Sequence, residues 1–286
     1  MEKFTFINAK GQSVVIGNTE DLQLTGATGL TATEIVPYTI QGYRQNGYTL
    51  TNVQLGTRII SLNFALFGMT DAEFYKKRLQ LIGIFNPLLG EGTLVYENDV
   101  VTRAITVQVT QNMDVKTNHA SNLKEYTIEF TAYNPLWRDA RESALSLEDA
   151  IGGLTFPFKF NDSIAFTTTN DTSAIITVTG DVPSPLRVEF IGGAYQPRIE
   201  LSNTREFIDV NIRIAKGEKL VITTDYGNKL VNKYNLDGTI SSANHLITPD
   251  STFFSLPVGE NRVAFSSTAG DGVKVYIYWY NWYLGV

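Results

Sequence analysis

The sequence predicts a mainly β protein of about two domains with one helix, and three observations carry that prediction. Short runs rich in Val, Ile, Thr, Tyr and Phe alternate apolar with polar residues along most of the chain. Gly, Asn and Asp fall between those runs, where turns need them. A single segment near residue 70 abandons the period of two for the start and stop signals of a helix. At 286 residues, 43% of them hydrophobic and 18% charged, the chain has the ordinary globular balance and length for two domains of ~150 residues.

Taken in order, "FTFI" (4–7) opens as a strand and gives way to a turn around Gly11. "YRQNGYTL" places Asn46-Gly47 between two strand-like runs, the sequence signature of a two-residue hairpin. "RIISLNFAL" (58–66) alternates cleanly. In "MTDAEFYKKRLQLIGIFNPLLG", Thr70 caps a helix, Glu73 completes a capping box and Asn86-Pro87 forces the stop, so the helix is expected over 71–85. Its apolar residues Phe74, Tyr75, Leu79, Leu81, Ile82 and Phe85 share a broad face, which packs on a sheet or a neighbouring chain. "RAITVQV" (103–109) is the next strand, and "YTIEFTAYNPLWRD" (126–139) one that ends at Asn134-Pro135, because proline has no N–H for the ladder. Trp137 then plugs the domain's edge. The charged and small residues of "RDARESALSLEDAIGG" (138–153) read as a linker. Strands follow at "VNIRI" (210–214), "KLVITT" (219–224) and "RVAFSS" (262–267), with a second hairpin turn at Asp237-Gly238.

Several function classes are excluded or disfavoured. With no cysteine there is no disulfide framework, thiolate zinc site or thiol nucleophile. A net charge of −6 without Lys/Arg clusters argues against tight nucleic-acid binding. No apolar run approaches the ~20 residues of a spanning helix, and the first residues lack a secretion signal, so neither membrane insertion nor export is expected. His119 and His245 stand in polar surroundings without metal-ligand spacing, and no hydrolase, metalloprotease, Walker or dinucleotide motif occurs. A distant pair of carboxylates acting on glycan leaves no local signature, so an enzyme acting on cell-wall glycan stays the weakest reading. "TDYGNKLV" and "NLDGT" lack the alternating oxygen ligands of a calcium loop and read as hairpin turns. No enzyme activity, cofactor or metal is expected.

The chain resembles the distal tail protein family of long-tailed, non-contractile phages. The resemblance rests on "FTFINAKGQSVVIG", "QGYRQNGYTL", "RIISLNFALFGMTDAEFYKKRLQLIGIFNPLLGEGTLVYEN" and "YTIEFTAYNPLWRD" in the first half. In the second it rests on "GEKLVITTDYGNKLV", "DSTFFSLPVGENRVAFSS" and "YIYWYNWYLGV", all in the family's order and spacing. It implies an N-terminal β-sandwich with one flanking helix and an extended hairpin, and a C-terminal galectin-like β-sandwich. On this sequence 1–140 becomes the ring-forming tail-hub domain, 141–153 a linker and 154–286 the galectin-like domain. It further implies a hexameric ring in the virion tail tip, made in the bacterial cytoplasm. The implied partners are the major tail tube protein, a tail-tip or tail-associated lysin protein and, in some phages, a receptor-binding protein. The rival class is a carbohydrate-binding adhesion module, for which aromatic strands also speak.

The candidate subunit interface is the helix, through Phe74, Tyr75, Leu79 and Ile82, together with the hairpin at Asn46 and Gly47. The second candidate lies in "VKVYIYWYNWYLGV", where Val273, Val275, Ile277 and Trp279 take one face and Tyr276, Tyr278, Tyr280 and Trp282 the other. That aromatic row either stacks sugar rings or is packed. A strand apolar on both faces is more often interior, so packing is the expectation.

Overall fold

The computed structural model describes residues 2–19, 22–31, 33–67, 69–116, 123–148, 173–268 and 273–286. His119 and the 149–153 part of the expected linker lie outside them. The chain divides into two compact units, one of Met1–Ala140 with Tyr283–Val286, the other of Arg141–Trp282. The second unit is therefore inserted into the first rather than appended to it.

The first unit is built from β1 (Lys3–Ile7), β2 (Ser13–Ile16), β3 (Leu22–Thr28), β4 (Ile35–Ile40), β5 (Thr49–Leu55) and β6 (Arg58–Phe67). Helix α1 (Asp71–Ile84) follows, then β7 (Gly92–Glu97), β8 (Thr102–Lys116), β9 (Leu123–Ala132) and β10 (Trp137–Asp139). Its antiparallel strands run in the order β2-β1-β7-β8-β9-β6-β3. The long β8 turns the corner: up to Val107 it pairs with β7, and from Gln108 it pairs with β9, with register shifts beyond Val109 that bend the strand. Alternation then buries one side of each strand, as in β1, where Phe4 and Phe6 point inward.

Phe6 lies 5.1 Å from Phe130 and 5.5 Å from Phe85, tying the first strand, the end of the helix and β9 into one core. Gly92 is required beside them, since a Cβ there would sit 2.8 Å from the Phe6 ring and 2.5 Å from the Ile7 carbonyl oxygen. β9 stops at Ala132, and after Asn134-Pro135 the fully buried Trp137 packs edge-on against Tyr96 and donates its indole N–H to the Leu30 carbonyl, 3.2 Å away. The chain leaves the ladder at a proline and anchors with an aromatic, as the local sequence requires.

The second unit contains β11 (Ser143–Glu148), β12 (Ser173–Val178), β13 (Leu186–Ile191), β14 (Ala194–Tyr195), β15 (Arg198–Leu201), β16 (Glu206–Asp209) and β17 (Arg213–Ile214). It continues with β18 (Lys219–Asp225), β19 (Asn228–Tyr234), β20 (Ile240–Ser242), β21 (Gly259–Ser266) and β22 (Lys274–Trp279). A six-stranded sheet, β11-β22-β13-β18-β19-β20, and a four-stranded one, β12-β21-β15-β16, bury their inner faces in one shared core that includes Phe190, Ile222, Ile277, Ile199 and Val263. The protein is thus mainly β, in two domains.

Three local expectations need correction. Residues 143–148, inside the stretch read as a linker, form an edge strand on β22, because Leu145 and Leu147 alternate and find a core to enter. The run 210–214 is not one strand: after β16 the chain kinks at Asn211, where the Ile212 N–H donates to the Val210 carbonyl, before β17. The first hairpin turns elsewhere than Asn46-Gly47. Its last pair is Ile40 with Thr49, and the reversal lies at Gly42–Gln45, where Arg44 takes φ 60° and Gln45 bonds back to Gly42 through both its N–H and its side chain. Gly47 still takes the left-handed backbone, φ 79°, as a second bend further along the loop.

Candidate subunit interface

The helix begins as its capping box requires. The Glu73 carboxylate accepts from the Thr70 backbone N–H at 2.8 Å, and the Thr70 hydroxyl accepts from the Glu73 N–H at 3.4 Å. These bonds hold the exposed Glu73 carboxyl below its ordinary pKa, the Thr70 backbone N–H contributing most. The helix then ends at Ile84, with Phe85 as its C-cap, ahead of Asn86-Pro87, which opens a short 3₁₀ turn.

The apolar residues of α1 split into two stripes. Phe74, Leu81 and Ile84 enter the core, with Phe74 only 4% exposed, so Phe74 is a core residue and not part of an accessible interface. Tyr75, Leu79 and Ile82, spaced i, i+4, i+7, form a neighbouring stripe left 65%, 52% and 47% exposed. The predicted broad face exists, but its own domain covers only half of it. Beside it runs a shallow groove of about 580 Å³ between Leu79, Gln80 and Ile84 of the helix and Lys10, Gln12 and Ser13 around β2, the edge strand of the sheet.

The hairpin is the second uncovered feature. β4 and β5 pair only with each other among the described residues, and nearly every side chain along them is exposed. Register places Ile35 opposite Leu55 and Pro37 opposite Val53 on one face, so that face is an apolar strip in solvent. Asn46 and Gly47 sit exposed in the loop beyond. A two-stranded ribbon is marginal by itself in water and gains stability when its apolar face is covered. The sequence reading named the loop and missed this strip, although the alternation of Ile35, Pro37, Val53 and Leu55 was its visible signal.

The aromatic row near residue 280 is shorter than its alternation suggests. β22 ends at Trp279, so Tyr280 and Trp282 do not continue the strand, and only Tyr276 and Tyr278 stand together on its outer face. Both are half-buried, and their rings stack on each other with centroids 6.4 Å apart. Arg187 of β13 lies 3.9 Å over the Tyr278 ring and pairs with Glu142 and Glu189, while Lys219 of β18 binds Glu189 from the other side. Desolvation works against the charged Arg187, yet the Glu142 and Glu189 carboxylates outweigh it and hold its pKa above the ordinary value. The two tyrosines therefore stack on each other, with Arg187 over the Tyr278 ring.

Among the described residues no cluster of three or more His, Cys, Asp or Glu could hold a metal ion, and no helix is long and apolar enough to cross a membrane. His245 is exposed in a 3₁₀ turn.

Comparison with known proteins places these units. Residues 9–132 match the model of the phage tail protein RIFT-related domain, and residues 179–283 that of the siphovirus-type tail component, C-terminal domain. No curated protein matches the sequence. Among solved structures, the Dit (gp 19.1) protein of phage SPP1, described as a paradigm of the hub adsorption apparatus in phages infecting Gram-positive bacteria, superposes with a TM-score of 0.66 at 12% identity, covering 96% of this chain and 98% of that one. A chain of the phage P2 baseplate in its activated conformation with Ca aligns with a TM-score of 0.54 at 11% identity, covering 97% of each. At such identities the structures show a shared fold, while the two sequence models, following one another in chain order, show kinship. The chain belongs to the siphophage distal tail protein family and is a structural component of the phage tail.

Proposed function

We propose that six copies of the protein close into a ring at the tail tip, joining the major tail tube protein above to a tail-tip or tail-associated lysin protein below. The first unit forms the ring, and the second, a galectin-like sandwich, supports host-recognition proteins. The protein is made in the bacterial cytoplasm and built into the virion. The observation that carries this reading is the pair of unlike apolar surfaces on one unit, the β4–β5 strip and the Tyr75-Leu79-Ile82 stripe. Two different patches that meet head to tail generate a ring when the rotation closes. In this reading Asn46 and Gly47 lie at the reach of the hairpin into the neighbour, and Tyr75, Leu79 and Ile82 at the contact.

The test is the oligomeric state of the full chain, by light scattering and negative-stain imaging. Six-fold rings are expected, in isolation or in assembled tails, and L79S/I82S is expected to weaken them. A strict monomer at high concentration, together with tails that lack a ring of this protein, would refute the reading.

A further inference from the structure

We propose that the segment Tyr283–Val286 is a strap that completes the first unit, so that this unit closes only once the second has been made. The segment returns to the first unit after the whole second unit has intervened. Two arginines receive it. Arg58, at the start of β6 and 0% exposed, donates from Nε to the Pro135 carbonyl (2.7 Å), from Nη1 to those of Gly29 (2.8 Å) and Leu30 (2.9 Å), and from Nη2 to that of Leu284. Arg103 of β8 lies 3.6 Å over the Tyr283 ring and donates to the Gly285 carbonyl. Tyr283 and Val286 also pack against the core of the unit.

The fit is close on the other side as well. A Cβ on Gly285 would stand 3.1 Å from the Thr31 Cα and 3.3 Å from the Leu30 carbonyl oxygen. Leu30 is thereby the node at which Arg58, Trp137 and the strap converge. A buried guanidinium needs an acceptor for each of its forks, and an unmet charged donor in the interior is strongly destabilising. Without residues 283–286, Nη2 loses the Leu284 carbonyl and the Tyr283 ring leaves Arg103.

Chain order gives this geometry a consequence. Residues 1–140 emerge first but leave the Arg58 node incomplete until residues beyond 282 arrive. Given the ring reading of the first unit, an unfinished or truncated chain lacks a closed ring-forming unit and is kept out of assembly.

The experiment uses the full chain and hydrogen exchange resolved by peptide. Arg103→Ala and Gly285→Val are expected to speed exchange at 29–31 and 135–139 on the order of tenfold, by opening the node locally, while peptides from β18 and β19 stay unchanged. Arg58→Lys, which keeps the charge but loses the planar fork, is expected to do the same. Unchanged exchange in the first unit for both Arg103→Ala and Gly285→Val, or an equal rise in the second unit, overturns the strap. Deletion of 283–286 is expected to abolish ring formation, with partial recovery on adding a peptide of residues 281–286. Rings formed by the deleted chain as readily as by the intact one overturn the assembly role and leave the ring reading standing. Absence of rings even from the intact chain counts against the ring reading, and the exchange arms still decide the strap.

Discussion

Thr70 and Glu73 satisfy each other's backbone N–H groups at the first turn of the helix. Replacing Thr70 with Ala removes a cap and is expected to lower the stability of the first unit by about 1 kcal/mol, read from its thermal transition. The carboxyl of Glu73 is held below its ordinary pKa in the folded state by the Thr70 N–H first and its hydroxyl second. Its contribution is thus complete above the ordinary glutamate value and fades as the pH falls below it toward the folded value. Comparison of acid titrations of stability for the native chain and Glu73→Gln checks the sign: the variant loses that part of the acid dependence. Four positions on, chemistry alike in sequence separates in space. Phe74→Ala empties a core site and is expected to cost ~3–5 kcal/mol, whereas Leu79→Ser, on the exposed stripe, stays within about 0.5 kcal/mol. Equal melting shifts for the two would contradict the division of the helix into a covered and an uncovered stripe.

At the scale of elements, the hairpin and β22 present opposite cases. The β4–β5 ribbon carries an apolar face that is left exposed, with no other strand pairing it among the described residues. Val53→Ser with Leu55→Ser is therefore expected to leave the melting temperature of the monomer unchanged and to weaken self-association, measured by sedimentation velocity at several concentrations. β22 lies between β11 and β13 with its inner face in the core and Tyr278 under Arg187. Tyr278→Ala with Trp282→Ala is expected to lower the thermal stability of the second unit, Tyr278 accounting for about 1–2 kcal/mol through lost area and lost cation–π contact. Unchanged melting accompanied by a loss of glycan binding would instead assign the row to sugar recognition.

For the whole molecule, charge has the clearest consequence. In the proposed ring, six copies at −6 each would sum to 6 × (−6) = −36, a field that would repel phosphate from a lumen through which a genome passed. No submicromolar binding to duplex DNA is expected at physiological salt in a filter or anisotropy assay, and such binding would contradict non-adhesive transit. The division of the chain matters at this scale too. Because Tyr283–Val286 belongs to the first unit, a fragment of residues 1–140 is an incomplete domain, and oligomerisation is best measured on the full chain.

Much of the fold follows from short-range rules and was therefore legible in the sequence. Period-two alternation in 58–66 and 103–109 marks strands because successive side chains point to opposite faces, whatever lies beyond them. Thr70 with Glu73, and Asn86-Pro87, bound the helix because caps and proline act within four residues. Family membership was likewise carried by the order of such segments. Tertiary structure decided everything that depends on a distant surface. Leu145 and Leu147 make a strand of an apparent linker only because β22 offers a free edge and a core. Tyr75 and Phe74 differ in burial only because the sheet reaches one side of the helix. Arg58 reads in sequence as one more polar residue opening a strand, yet it gathers carbonyls from positions 29, 30, 135 and 284. Local rules fix what the backbone does next, but burial and buried hydrogen bonds are set by partners that arrive from far along the chain, and no local pattern encodes which ones meet.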